Sequence, residues 1–248
     1  EVAAAAPPRV ALINTGRELV DDPRQPLASG QIRNSNGSYL AQRINDAGAE
    51  LVLRETVSDD EAAFLAALQR ALDAGAQVVL STGAVSMGRY DFIPDALRGL
   101  GANLHFHKVK IRPGKPLLFA TLPDGQLFFG LPGNPVSSAV GLRFFVEPVL
   151  RRMLGLPVEA PLRLPLADGY RKRHPLRFHL KGALAVDTQG RLHARILPGQ
   201  ESFKIAPMAR SNAWIVLDED AQDLAAGASV DVYGLGHLQA PSLAGVHA

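Results

Sequence analysis

Cysteine is absent from the chain. That excludes disulfides, thiolate-bound zinc and cysteine nucleophiles, and it fits a cytoplasmic setting, which is the expectation here. No uninterrupted apolar run approaches the roughly 20 residues needed to span a bilayer, so no membrane partner is expected. An excess of charge of one sign is lacking too. With 26 Lys and Arg against 24 Asp and Glu, the formal net charge of the 248 residues is only +2. Bulk attraction to nucleic acid does not follow from so small an excess. An initiator methionine is also missing: residues 1–8 (EVAAAAPP) read as a linker remnant, and the chain is expected to be a fragment of a longer protein.

What is present alternates between strand and helix signals. Residues 9–14 (RVALIN), 50–55 (ELVLRE) and 77–80 (QVVL) are short apolar or β-branched runs that read as strands. Helices are predicted over residues 34–47, from a Ser58–Glu61 capping box to Gly75, over 92–98, and from Pro135 to about Gly155. Residues 104–111 and 116–121 look extended, and Pro123–Gly125 is a turn into a further extended run over 126–129. Strands alternating with helices imply parallel pairing by right-handed crossovers, hence a three-layer, doubly wound, mostly parallel α/β sheet. Beyond Leu156, prolines at 157, 161, 165 and 175 and short alternating runs replace helical periodicity, which predicts a small β-barrel. The expected division is a linker (1–8), an α/β domain (9–155), a β-barrel domain (156–240) and a tail (241–248).

Ligands of open α/β sheets bind beyond the carboxyl ends of the strands, and the loops predicted there are rich in anion-holding residues. The first follows QVVL and carries Ser81, Thr82, Gly83, Ser86, Gly88 and Asp91. Its glycines permit close backbone approach, and such a turn can aim amides at a phosphate. Asp91 reads either as a helix cap or as a Mg²⁺ ligand. The second holds Pro132, Gly133, Asn134, Pro135 and Ser137, with Asn134 suited to the N-cap and Pro135 to the first helical position, so that the helix start offers free amides. The third holds Lys108, Lys110, Arg112 and Lys115; on a strand the first three share one face, where Lys110 reads as solvated. Thr15, Gly16 and Glu18 complete the rim, Glu18 as a candidate metal or pterin ligand. Asp59 and Asp60 are explained by the dipole of the helix they begin. The seven histidines show no ligand spacing, and no Ser-His-Asp arrangement can be argued.

Together, Thr15-Gly16-x-Glu18-Leu19, the Ser81–Asp91 loop, Pro113–Pro116 and the run from Gly130 to Ser137 resemble the MoeA family of molybdopterin molybdenumtransferases. The resemblance implies a MogA-like molybdopterin-binding fold and Mg²⁺-dependent chemistry on adenylylated molybdopterin. In that reaction molybdate is placed on the dithiolene sulfurs and AMP is released. It also implies catalytic roles for Glu18, Asp59 and Asp91, with Asp91 and Glu18 as metal ligands. Thr15, Gly16, the Ser81–Gly88 loop, Lys108, Arg112, Lys115 and the residues from Pro132 to Ser137 would then hold the cofactor. A homodimer, and contacts with other proteins of molybdenum cofactor biosynthesis, are implied for the full-length protein, whose preceding domains complete the active site. Little molybdate insertion is therefore expected of this chain alone. The family usually has Asp where Arg17 stands and Gly where Ala84 stands. The alternatives are a non-catalytic molybdopterin-binding module and a MogA-type adenylyltransferase.

Overall fold

A computed structural model describes residues 5–84, 92–241 and 243. Its first part runs β1 (Arg9–Thr15), β2 (Leu19–Val20), β3 (Ile32–Arg33), α1 (Ser35–Asp46), β4 (Glu50–Val57), α2 (Glu61–Asp73), β5 (Val78–Thr82), α3 (Ile93–Gly99) and β6 (Asn103–His107). It continues through β7 (Ile111–Arg112), β8 (Leu118–Thr121), β9 (Leu127–Leu131), α4 (Pro135–Gly141) and α5 (Glu147–Met153). The second part holds β10 (Leu162–Pro165), β11 (Tyr170–Arg171), β12 (Arg177–Val186), β13 (Leu192–Ile196), β14 (Ala213–Leu217), β15 (Asp223–Leu224) and β16 (Ser229–Tyr233).

The first sheet has the order β4-β1-β5-β9-β8-β6. Its first four strands are parallel, whereas β8 runs antiparallel to both neighbours because the Pro123–Gly125 turn is too short for a crossover. Central strands β1 and β5 are apolar over Val10–Ile13 and Val78–Leu80 because helices cover both faces, and both end in buried polar residues, Asn14, Thr15, Ser81 and Thr82. Phe64, Leu68, Ile93 and Leu97 of α2 and α3 pack on one face, and Leu40, Ile44, Val146 and Leu150 of the α1 and α4–α5 layer on the other. The architecture is thus three layers around a doubly wound, mostly parallel sheet.

The second sheet has the order β10-β16-β14-β12-β13. A bridge between Leu166 and Ala194 brings the chain just past β10 onto β13, rolling the sheet into a small barrel around Phe178, Leu180, Ile215, Leu217 and Val232. The parts are joined by an apolar cluster of Ile111, Val136, Ala139, Val140 and Trp214, and by a buried ionic one. In the latter, Arg43 of α1 bonds Glu147 at 3.0 Å, and Arg143 donates to the Gly234 carbonyl at 3.0 Å and to Glu159 at 2.6 Å.

Four local expectations change. The cap of α2 is Asp60, not Ser58: Asp60 is extended and its Oδ1 accepts from the Ala63 amide at 2.9 Å, a contact worth about 1 kcal/mol. The extended run over 104–111 is broken at Lys108, whose φ is +82°, so Lys108, Lys110 and Arg112 do not share one strand face. Ile111 and Arg112 leave the first sheet and pair with Arg177 and Phe178 of the barrel. The last long helix is interrupted by a π segment, Leu142–Val146, just before Pro148. Proline has no N–H, and its ring clashes with the carbonyl four residues back, which a wider turn relieves.

His179 on β12 is buried and its ring lies 4.4 Å from that of Phe144. Burial pulls its imidazole down to about 3. The neutral ring is therefore the folded form, and the stability it contributes is complete above the unfolded value near 6.5 and is lost as pH falls below it, at about 1.4 kcal/mol per pH unit. Going from pH 7.5 to pH 5 should cost about 2 kcal/mol through this residue. Urea midpoints at the two pH values should draw closer together in His179→Leu; an unchanged gap would remove the assignment.

Candidate ligand site at the carboxyl edge of the sheet

The strand register assembles the edge. Thr15 pairs with Val57, Asn14 with Thr82, and Thr82 with Leu131, so the loops leaving β1, β4, β5 and β9 emerge side by side. His107 pairs with Leu118 and Leu118 with Gly130, which brings Lys108 and Lys115 to the same edge. The loops touch as well. Gly16 donates its amide to the Val57 carbonyl at 3.0 Å, and Gly83 to that of Leu131 at 3.2 Å. Asn36 of α1 donates to the Gly133 carbonyl at 2.7 Å.

Beneath the loops lies a buried polar layer. Asn14 Nδ2 donates to Thr82 Oγ1 at 2.6 Å, and Thr15 Oγ1 to the Thr82 carbonyl at 3.1 Å. Ser81 and Thr82 are buried, so their side chains support the rim from below. Ser81 Oγ and Asn14 Oδ1 have no hydrogen-bond partner among the described residues. Gly83 must be glycine: its φ is +88°, and a Cβ there would stand 2.6 Å from Thr15 Oγ1. Glu18 is half-buried and folds back over Gly16, where a Cβ would meet both carboxylate oxygens at 3.0 Å; Arg17 points to solvent. Asp59 is half-buried at the end of β4. Ser86, Gly88 and Asp91 lie outside the described residues. Among the described residues, no three His, Asp or Glu side chains are grouped to hold a metal by themselves.

Ala84 occupies the left-handed region with φ +49°. A Cβ there costs roughly 1 kcal/mol, which glycine avoids. Ala84→Gly is expected to raise folding stability by about 0.5–1 kcal/mol, less the added entropy of its unfolded chain. A lowered urea midpoint would show that the backbone is not strained there.

The start of α4 differs from the expectation. Asn134 stands at the N-cap, but its side chain makes no cap bond and donates instead to Ser202 Oγ at 3.1 Å. The Val136 amide donates to the Ser202 carbonyl at 3.0 Å. One first-turn amide is thus taken by a barrel loop rather than left for an anion. Ser138 Oγ donates to the Pro132 carbonyl, and Ser137 is buried. Buried Lys181 holds the Ser202 loop, donating to the carbonyls of Gly199 at 2.7 Å and Lys204 at 3.1 Å; burial lowers the pKa of its ammonium. Nothing in local sequence signals this junction, since its partners are far apart in the chain.

Two clefts flank the edge. A wide one of about 620 Å³ lies between the Pro113 turn and the barrel, and carries Arg112, Arg171 and Arg173. Arg112 sits here, 5.6 Å over the Phe178 ring, instead of lining up with Lys108. A smaller, largely apolar cleft of about 320 Å³ lies between α1, Pro135 and the barrel.

Residues 11–152 match the family model described as a probable molybdopterin binding domain, and residues 163–235 match that of the MoeA C-terminal region (domain IV). A molybdopterin molybdenumtransferase of Synechococcus elongatus is 40% identical over 227 residues, covering 91% of this chain and 55% of the relative. Another, from Staphylococcus aureus (strain Mu50), is 30% identical over 236 residues, covering 94% of this chain and 55% of the relative. The crystal structure of a molybdopterin biosynthesis MoeA protein from Pyrococcus horikosii superposes with a TM-score of 0.76 at 27% identity, over 92% of this chain and 55% of that one. The chain spans about half the length of these proteins. It belongs to the molybdopterin-binding domain family, and it carries the MoeA C-terminal region after that domain.

Proposed function

We propose that this chain is the part of a molybdopterin molybdenumtransferase that holds adenylylated molybdopterin during molybdenum cofactor biosynthesis. The observation that carries the reading is the assembly of Thr15–Glu18, Asp59, Gly83 and Pro132–Ser137 along one sheet edge, beside Lys108 and Lys115. In the reaction so assigned, molybdate becomes bound by the dithiolene sulfurs, and water cleaves the pyrophosphate bond of the substrate, so that AMP leaves and the other phosphate stays on the pterin. The MoeA C-terminal region after the α/β domain favours this over a MogA-type adenylyltransferase.

The residues have distinct tasks. Lys115 and Arg112 attract oxyanion and phosphate oxygens; among the described residues Arg112 and Arg173 of the wide cleft make no ion pair, whereas Arg171 pairs with Asp223. Gly83 and Gly133 let the backbone approach the ligand. Mg²⁺ usually takes only one or two carboxylates and completes its shell with water and phosphate oxygens. The half-buried Glu18 and Asp59, on loops whose bases share the Gly16–Val57 hydrogen bond, fit that demand. They would hold it together with Asp91, and the ion supplies neutralising charge at the phosphates. The family resemblance is the support for Mg²⁺, for a homodimer of the full-length protein and for a cytoplasmic setting.

The test is AMP release by the full-length protein from adenylylated molybdopterin with molybdate and Mg²⁺. Glu18→Gln should slow release by about 100-fold or more while substrate affinity changes only a few-fold, as expected for a group acting mainly in the transition state. An unchanged rate would remove Glu18 from the chemistry.

A further inference from the structure

We propose that the apolar cleft between α1 and the barrel binds a fused-ring nitrogen heterocycle, the ring end of a nucleotide whose phosphate lies at the carboxyl edge. This rests on the ligand reading above and adds where the ring goes. Tyr39, Pro135, Met208 and Trp214 are among the residues that wall the cleft. Its volume of about 320 Å³ is at the lower end of ligand pockets, of the order of 300–1,000 Å³.

Charge decides what it admits. The ionic side chain on its wall is Arg43, which is committed to Glu147 at 3.0 Å and Asp46 at 3.3 Å. Among the described residues an anion therefore finds no available cation there, whereas a flat ring finds aromatic, proline and thioether surface. Position supports the same occupant. Pro135 belongs both to this wall and to the rim loop, and Asn36, on the α1 wall, reaches the Gly133 carbonyl at 2.7 Å. A ligand anchored at the rim thus has the cleft next to it. Ser35 supplies a hydroxyl for ring nitrogens and amino groups, while Asn36 and Ser211, whose donors bond the Gly133, Gly182 and Ala213 carbonyls, supply acceptor oxygens. The Tyr39 phenol, pushed up to about 12 by burial, keeps its proton and remains a donor. At the barrel side, Ile205 lines the cleft and is half exposed, with Phe203 exposed two residues away; both are apolar surface that a bound ring can cover.

Adenine and pterin share this chemistry, so the test separates them. Trp214 is the chain's one tryptophan, and it lies on the cleft wall. AMP should quench its emission saturably, and inorganic phosphate should not. Ala209→Phe places a ring in the cleft from an exposed position, so folding should survive. By calorimetry this variant should weaken AMP or neopterin monophosphate at least tenfold and leave phosphate binding within twofold. Loss confined to AMP identifies the purine as occupant, and loss confined to the pterin identifies the pterin. If both ligands bind wild type and Ala209→Phe equally, the ring lies elsewhere and the ligand reading stands without this inference. If neither they nor phosphate bind wild type, both fall.

Discussion

Glu147→Gln should lower folding stability by about 3–5 kcal/mol, the range for removing one partner of a buried ionic group. Glu147 is fully buried, with Arg43 at 3.0 Å, Arg143 at 3.6 Å and the His237 amide donating at 2.8 Å. Burial raises its carboxyl pKa, and the two guanidiniums pull against that. Glutamine keeps the volume but leaves two buried guanidiniums without their shared carboxylate. The cost falls on the joint between the two parts, because His237, Gly234 and Gln239 beyond the barrel all bond into this group. Urea denaturation measures it. A loss under 1 kcal/mol would put the cluster in the class of exposed ion pairs.

The second large effect concerns binding. Lys115→Ala and Arg112→Ala should each weaken adenylylated molybdopterin by roughly 10- to 100-fold, since a charge-assisted hydrogen bond contributes about 1.5–3 kcal/mol. Both side chains are exposed, and neither makes an ion pair among the described residues, so folding stability should hardly change. Arg112 is the more informative of the two. It lies over Phe178 at the barrel, so its loss should act on the ligand only if the wide cleft belongs to the site. Equal affinity in Arg112→Ala would confine the site to the sheet edge.

Much of this was legible in the sequence, for identifiable reasons. The runs RVALIN and QVVL have apolar centres, Val10–Ile13 and Val78–Leu80, because both faces of β1 and β5 are covered. Once those strands are parallel, the loops after Asn14, Leu80 and Phe129 must emerge at one edge, which is where Gly16, Gly83 and Pro132 stand. The pattern of the strands thus marks these loop glycines and prolines as edge residues.

The rest depended on contacts distant in sequence. Lys108, Lys110 and Arg112 alternate like a strand face, but alternation cannot reveal that Lys108 turns the chain or that Arg112 pairs with Phe178. Asn134 has the right type and place for a cap, yet Ser202 from the barrel takes both its side chain and the Val136 amide. Two acceptors stood within reach of α2, and the choice of Asp60 over Ser58 turned on backbone conformation at the cap. Trp214 reads as a core residue of a strand, which it is, and its place on a cleft wall emerges only when α1 packs opposite.

A phosphorylated pterin nucleotide at the sheet edge of this chain is the proposal on which the other assignments depend. Calorimetry of the chain with adenylylated molybdopterin tests it most directly. Binding should be saturable at one site and weakened in Lys115→Ala and by added salt, as expected where cations hold phosphates. Absence of binding at millimolar ligand, or affinity indifferent to Lys115 and to salt, would contradict it.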